Sequence, residues 1–197
     1  MNRNKLTAII LAGGKSRRMM QDKGLVLLNG KSMIEYILKE AKKLTDKIII
    51  ITGNPAYHHF GYPCYNDLIA DCGPMGGIYS ALHYTTTRKN LVFSCDIPFV
   101  SSKILSTLAN HTDMEEVLVP EHNGMLEPLC AIYDKCCIDK FRELIGAGKL
   151  RMIDALLEFN IKKINADSLC IENNDAFVNI NTPDELLRYQ SKSIEII

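Results

Sequence analysis

Unbalanced charge, paired cysteines and long apolar runs are all scarce in this 197-residue chain. Lys plus Arg and Asp plus Glu both number 23, so the formal net charge is zero. Bulk attraction to nucleic acid or to an anionic membrane is therefore not indicated. The seven cysteines form no CxxC pair, their number is odd, and Cys136 and Cys137 are adjacent. That spacing speaks against a disulfide framework or a zinc site and suits reduced thiols in a reducing cytoplasm. Behind Arg3 and Lys5 the first apolar stretch runs only about six residues, too short for a signal peptide or a membrane helix. Neighbouring His58 and His59 match no zinc spacing and read as solvated loop residues. No Ser-His-Asp arrangement emerges from the spacing. Neither the Walker loop nor the GxGxxG dinucleotide fingerprint is present.

What remains is an ordinary core-forming composition, 47% hydrophobic and 23% charged, arranged as apolar runs alternating with helical patterns. The length suits one domain, 1–197, although two small ones would fit. No Pro/Gly/Ser-rich linker, internal repeat or low-complexity tract divides the chain. Residues 6–11, 47–52 and 90–94 read as strands buried on both faces. Further strands are expected at 62–65, 117–120, 129–133 and 161–164. Ser32 with Glu35 forms a capping box ahead of a 3.6-residue apolar period through Leu44. Helices are also expected at 76–84, after Ser101 or Ser102, at 134–145 and 151–159, and from Thr182-Pro183 onward. This alternation implies an α/β fold: a three-layer αβα sandwich around a mostly parallel, Rossmann-like sheet. In such sheets ligands bind beyond the carboxyl ends of the strands. The loops expected there hold Gly13 to Lys23, Gly53 and Asn54, Asp67, and Cys95 with Asp96.

The first of these loops is the most informative. Gly13 and Gly14 permit a tight turn whose N–H groups can face an anion. Lys15, Arg17, Arg18 and Lys23 then place four cations within ten residues. A strand ending in such a turn suits a nucleoside triphosphate; a decorated surface turn is the plainer reading. Asp96 follows residues 90–94 (NLVFS) after a single residue, where a hard oxygen could hold Mg²⁺, although a turn aspartate before Pro98 is the competing reading. Asp67 precedes GPMGGI, whose small residues would let a base or ribose lie flat; close helix packing explains the same glycines. Asn179 and Asn181 are two apart and share a face if extended, and Asn181 with Thr182 also suits a helix cap.

Four segments in this order, LAGGKSRRMMQDKG, GPMGGI, SCDIPF and NINTPDEL, resemble the molybdenum cofactor guanylyltransferase family over Thr7 to about Gln190. The resemblance implies a nucleotidyltransferase with a glycosyltransferase-A-like fold. Its reaction would be Mg²⁺-dependent transfer of GMP from GTP onto the terminal phosphate of molybdopterin cofactor, with release of pyrophosphate. It further implies nucleotide contacts at Leu11, Ala12, Gly13 and Gly14, phosphate contacts at Lys23, and a base or ribose contact at Asp67. Asp96 would bind nucleotide and metal, and Asn179 and Asn181 would lie near the acceptor in the C-terminal part. Met20 replaces a common glycine, Thr52 or Asn54 stands where relatives can place a nucleotide-contacting Asn, and GPMGGI differs from GPLAG. No strong general base is required, because a phosphomonoester is already anionic near neutral pH. Positioning and charge neutralisation by Lys23, Arg17, Arg18 and metal-bound Asp96 suffice. CTP, a sugar-phosphate acceptor, or noncatalytic nucleotide binding beside cofactor-handling proteins are the alternatives.

Overall fold

The computed structural model describes residues 5–13, 22–111, 115–171 and 173–192. Its frame is a sheet of eight strands. Strand β1 (Leu6–Leu11), β4 (Ile48–Ile51), β5 (Cys64–Tyr65) and β6 (Lys89–Ser94) supply one half. The other half is β7 (Val117–His122), β8 (Met125–Leu126), β9 (Cys130–Asp134) and β10 (Ile161–Asn165). A separate two-stranded hairpin, β2 (Leu27–Leu28) with β3 (Lys31–Ser32), lies off this sheet. The strand order is β10-β7-β9-β6-β1-β4-β5, with β8 paired to β7.

Parallel pairing joins β1 to β4 and to β6, β4 to β5, and β7 to β10. Strand β9 alone in the main path runs the other way, antiparallel to both β6 and β7. The sheet is thus mostly parallel, as expected, but the simple strand-helix alternation did not announce this reversal. Because β9 reverses between them, β6 and β7 point the same way. Leu11, Ile51, Tyr65, Ser94 and His122 consequently end at one edge, and β9 begins there.

The apolar runs explain why the strands are central. All six residues of β1 and all four isoleucines of β4 are buried, and each fully buried Ile contributes about 1.5–3 kcal/mol. One face packs on α1 (Met33–Leu44) and α3 (Ser102–Asn110). The other packs on α2 (Gly73–Tyr84), α4 (Cys137–Gly146) and α5 (Met152–Leu156). These are the three layers. A third apolar cluster, Val26, Leu28, Met33, Ile180 and Tyr189, joins the hairpin to α6 (Pro183–Lys192).

Local signals held where the physics was local. Ser32 caps α1, and the Glu35 carboxylate accepts from its backbone N–H and its hydroxyl, both at 2.7 Å. Helix α2 starts three residues earlier than expected, with Pro74 in its first turn. Helix α4 starts later, since residues 130–134 extend the strand. Among the described residues no helix is long and apolar enough to cross a membrane.

Candidate active site

The strand-end edge gathers side chains from distant parts of the chain. Lys23 opens a short 3₁₀ turn, Lys23–Leu25. Its ammonium lies 3.2 Å from Asp96 Oδ2 and donates to Asn181 Oδ1. Asp96 follows β6, and its carbonyl accepts the N–H of Ile180 at 2.9 Å, which brings the NINTPDEL segment against the end of that strand. The second carboxylate oxygen, Oδ1, is buried and has no hydrogen-bond partner among the described residues. One cation, one carboxylate and one amide therefore converge from β6, the first loop and the C-terminal segment.

Next to them β1 ends. The N–H of Ala12 donates to Ile51 at 2.9 Å, and the carbonyl of Leu11 accepts from Cys95 at 3.1 Å. Leu11 packs over the start of α2: a Cβ on Gly77 would stand 3.1 Å from Leu11 Cδ2 and 3.7 Å from Asp67 Oδ1. Asp67, Leu11 and Gly77 are thus neighbours. Asp67 is partly shielded, and burial raises its carboxyl above the usual range. Gly76 packs tightly too, since a Cβ there would meet the Ile69 carbonyl at 2.9 Å. Ser80 locks this loop by donating to Gly76 and accepting from Leu68.

Comparison with known proteins bears on this arrangement. A family model described as the MobA-like NTP transferase domain matches residues 8–161. The chain belongs to this family. It is a nucleotidyltransferase. The probable molybdenum cofactor guanylyltransferase of Flavobacterium johnsoniae is 39% identical over 184 residues, 92% of this chain and 94% of that protein. That of Clostridium perfringens is 35% identical over 187 residues, again 92% and 94%. Among solved structures, molybdopterin-guanine dinucleotide biosynthesis protein A from Archaeoglobus fulgidus superposes with a TM-score of 0.78 at 26% identity. It covers 96% of this chain and 99% of its own.

Within this MobA-like chain, Gly14, Lys15, Arg17 and Arg18 lie outside the described residues. Lys23, Asp96 and Asn181 are brought together. Asn179 stands apart from that network, its amide directed at the Phe177 carbonyl at 3.5 Å. His58 and His59 are exposed on the 3₁₀ segment Pro55–Phe60.

Asp22 was passed over in the sequence, and it anchors the loop. Its carboxylate accepts from the Tyr57 hydroxyl, from Asn54 Nδ2 at 3.0 Å and from the N–H of Gly24 at 3.3 Å. Tyr57 is completely buried, and that burial holds its hydroxyl well above the ordinary phenol range. A Cβ on Gly24 would overlap the Tyr57 hydroxyl and sit 3.2 Å from Cys95 Sγ, so the turn has room only for glycine. Asn54 also accepts from Ala56, so its amide is occupied in holding Asp22 and the following turn. Only the aspartate immediately before Lys23 hinted at this clamp; Tyr57 carries no spacing signal.

A divalent cation fits the donor chemistry. The unpartnered Oδ1 of Asp96 is a hard oxygen, and Mg²⁺ takes one or two protein carboxylates together with waters and substrate phosphates. No cluster of three acidic, cysteine or histidine side chains suited to a metal occurs among the described residues.

Proposed function

We propose that this nucleotidyltransferase moves GMP from GTP onto the terminal phosphate of molybdopterin cofactor and releases pyrophosphate. Convergence of Lys23, Asp96 and Asn181 at the strand ends carries the reading, and the names of the relatives supply the substrates. An oxygen of the acceptor phosphate attacks the α-phosphorus of GTP in line. That P–O bond forms as the bond to the bridging oxygen breaks, and the electron pair leaves with pyrophosphate. The attacking phosphate is already anionic, its second pKa being about 6, so the burden on the protein is electrostatic.

The Lys23 ammonium neutralises phosphate charge, and Asn181 orients that ammonium through its side-chain oxygen. The main-chain N–H of Gly13 faces the polyphosphate, with Leu11 and Ala12 beside it, and the family resemblance assigns a nucleotide contact to Gly14 as well. Asp67 accepts from the base or ribose over the small residues of α2. Asp96 would hold Mg²⁺, which when bound would offset charge on the phosphates. Arg17 contributes a further cation, and Asn179 lies toward the acceptor. All seven cysteines are unpaired, which suits a reducing compartment such as the cytoplasm.

The test is product identity. Purified protein is incubated with Mg²⁺, molybdopterin cofactor and each nucleoside triphosphate in turn, and the product is weighed by mass spectrometry. A GMP adduct with pyrophosphate release is expected. A CMP adduct, or tight nucleotide binding without turnover, would overturn the assignment.

A further inference from the structure

Along the strand-end edge, Asp67 after β5 and Leu11 after β1 lie to one side of Asp96. On its other side come β9 and β7. The turn between β8 and β9 is set directly against the end of β6, because the N–H of Ser94 donates to Leu129 at 2.9 Å. Glu127 is in that turn. Its backbone is fixed at both ends, its N–H donating to Pro120 at 2.9 Å and its carbonyl accepting from Cys130 at 3.0 Å.

The Glu127 carboxyl is more than half removed from water, and this desolvation raises it to about 7. It lies near the thiols of Cys130 and Cys170, whose own shifts register its charge. Both cysteines belong to the apolar cluster that includes Phe177, two residues before Asn179. The carboxyl accepts no hydrogen bond from any of the described residues. Leaving a half-buried carboxylate unpaired is costly, and a ligand bearing donors would relieve that cost.

We infer that Glu127 recognises the ring end of the acceptor, its two oxygens taking the side-by-side N–H donors of a 2-amino-4-oxo-pyrimidine edge. The inference rests on the guanylyl-transfer reading above and adds the group that selects the acceptor. A pterin presents a ring N–H beside an exocyclic NH₂, two parallel donors that match one carboxylate in the way a guanidinium does. Guanine has the same edge, but the nucleotide half of the crevice, with Asp67, lies beyond β6 from Glu127. Discrimination by one such site follows from the unpaired group left behind when the donor is missing.

The experiment has two arms on the full chain. In the first, 6-hydroxymethylpterin and its 2-oxo counterpart, 6-hydroxymethyl-lumazine, are titrated by fluorescence anisotropy in the presence of GTP and Mg²⁺. The native protein should favour the pterin about tenfold or more, and Glu127→Ala should bind both equally. In the second arm, Glu127→Ala and Glu127→Gln are assayed for GMP transfer. KM for molybdopterin cofactor should rise about tenfold in the alanine variant, less in the glutamine variant, while KM for GTP stays unchanged. No pterin preference in the native protein, a preference retained in Glu127→Ala, or a rise confined to the GTP KM would each overturn the inference. Native protein that prefers the pterin yet transfers no GMP would sink the reaction and leave the recognition standing.

Discussion

Lys23 answers to two partners far apart in sequence, a carboxylate after β6 and an amide near the C-terminus. Its side chain is 26% exposed and that of Asp96 13%. The pair is therefore mostly shielded from water, and its attraction is largely offset by the desolvation of both charges. Lys23→Ala and Asp96→Asn should each lower kcat by about 10²–10³ in protein that still melts cooperatively. Pyrophosphate release and a melting curve on the same preparations check this; near-native turnover in either variant would remove that residue from the mechanism.

Glu127 gives a pH signature at the same scale. In the unfolded chain it ionises near about 4.3, whereas burial raises it to about 7 in the folded protein. Between those values the folded state holds a proton that the unfolded state has lost, so stability falls as pH rises and levels off above the folded value. Glu127→Gln should raise the urea midpoint relative to native protein at pH 8 and leave it unchanged at pH 4. Equal differences at both pH values would contradict the sign.

At the scale of elements, α1 was the most legible segment because its signals are local. Ser32, Glu35 and the apolar period all sit within one stretch, and the capping box formed as read. The Ser32 hydroxyl, then its N–H, hold the Glu35 carboxyl below the ordinary glutamate range. That contribution is present above the unfolded pKa and is lost as pH falls through the folded one. Glu35→Ala should cost about 1 kcal/mol at pH 7 and progressively less in acid, measured by urea unfolding at a series of pH values.

Segment 55–60 shows the opposite case. Its two histidines drew attention and are exposed, whereas Tyr57 between Ala56 and His58 is the buried residue that reaches Asp22 across 35 positions. Periodicity reports which side chains face a core; it carries nothing about a hydroxyl meeting a carboxylate from another loop. The antiparallel β9 was hidden for the same reason. Residues 129–133 announce a buried strand, but its direction is set by the short β8 turn and by pairing partners.

At the scale of the whole molecule, the sandwich was legible because buried parallel strands leave continuous apolar runs. The third apolar cluster was not, since it is assembled from Val26, Leu28, Met33, Ile180 and Tyr189, residues spread over most of the chain. Tyr189 packs against Phe99 at a ring separation of 4.9 Å, and its hydroxyl donates to Asp175 at 3.0 Å. Tyr189→Ala should cost about 3–5 kcal/mol, as should Phe141→Ala in the layer under α4 and α5. Only the first should also raise KM for the substrates, because its cluster holds the hairpin and the NINTPDEL segment around Lys23. Matched denaturation and steady-state kinetics on the two variants make the comparison, and a parallel rise in KM for both would disprove the link.

The bond from Lys23 to Asn181 spans 158 positions, and that separation sets an order of events during synthesis. A chain still emerging from the ribosome can pair β1 with β6 and fill both flanking layers while the ammonium of Lys23 has no amide to meet. Lys23 is therefore set in place for transfer only once residue 181 has been made and the NINTPDEL segment has docked against the end of β6.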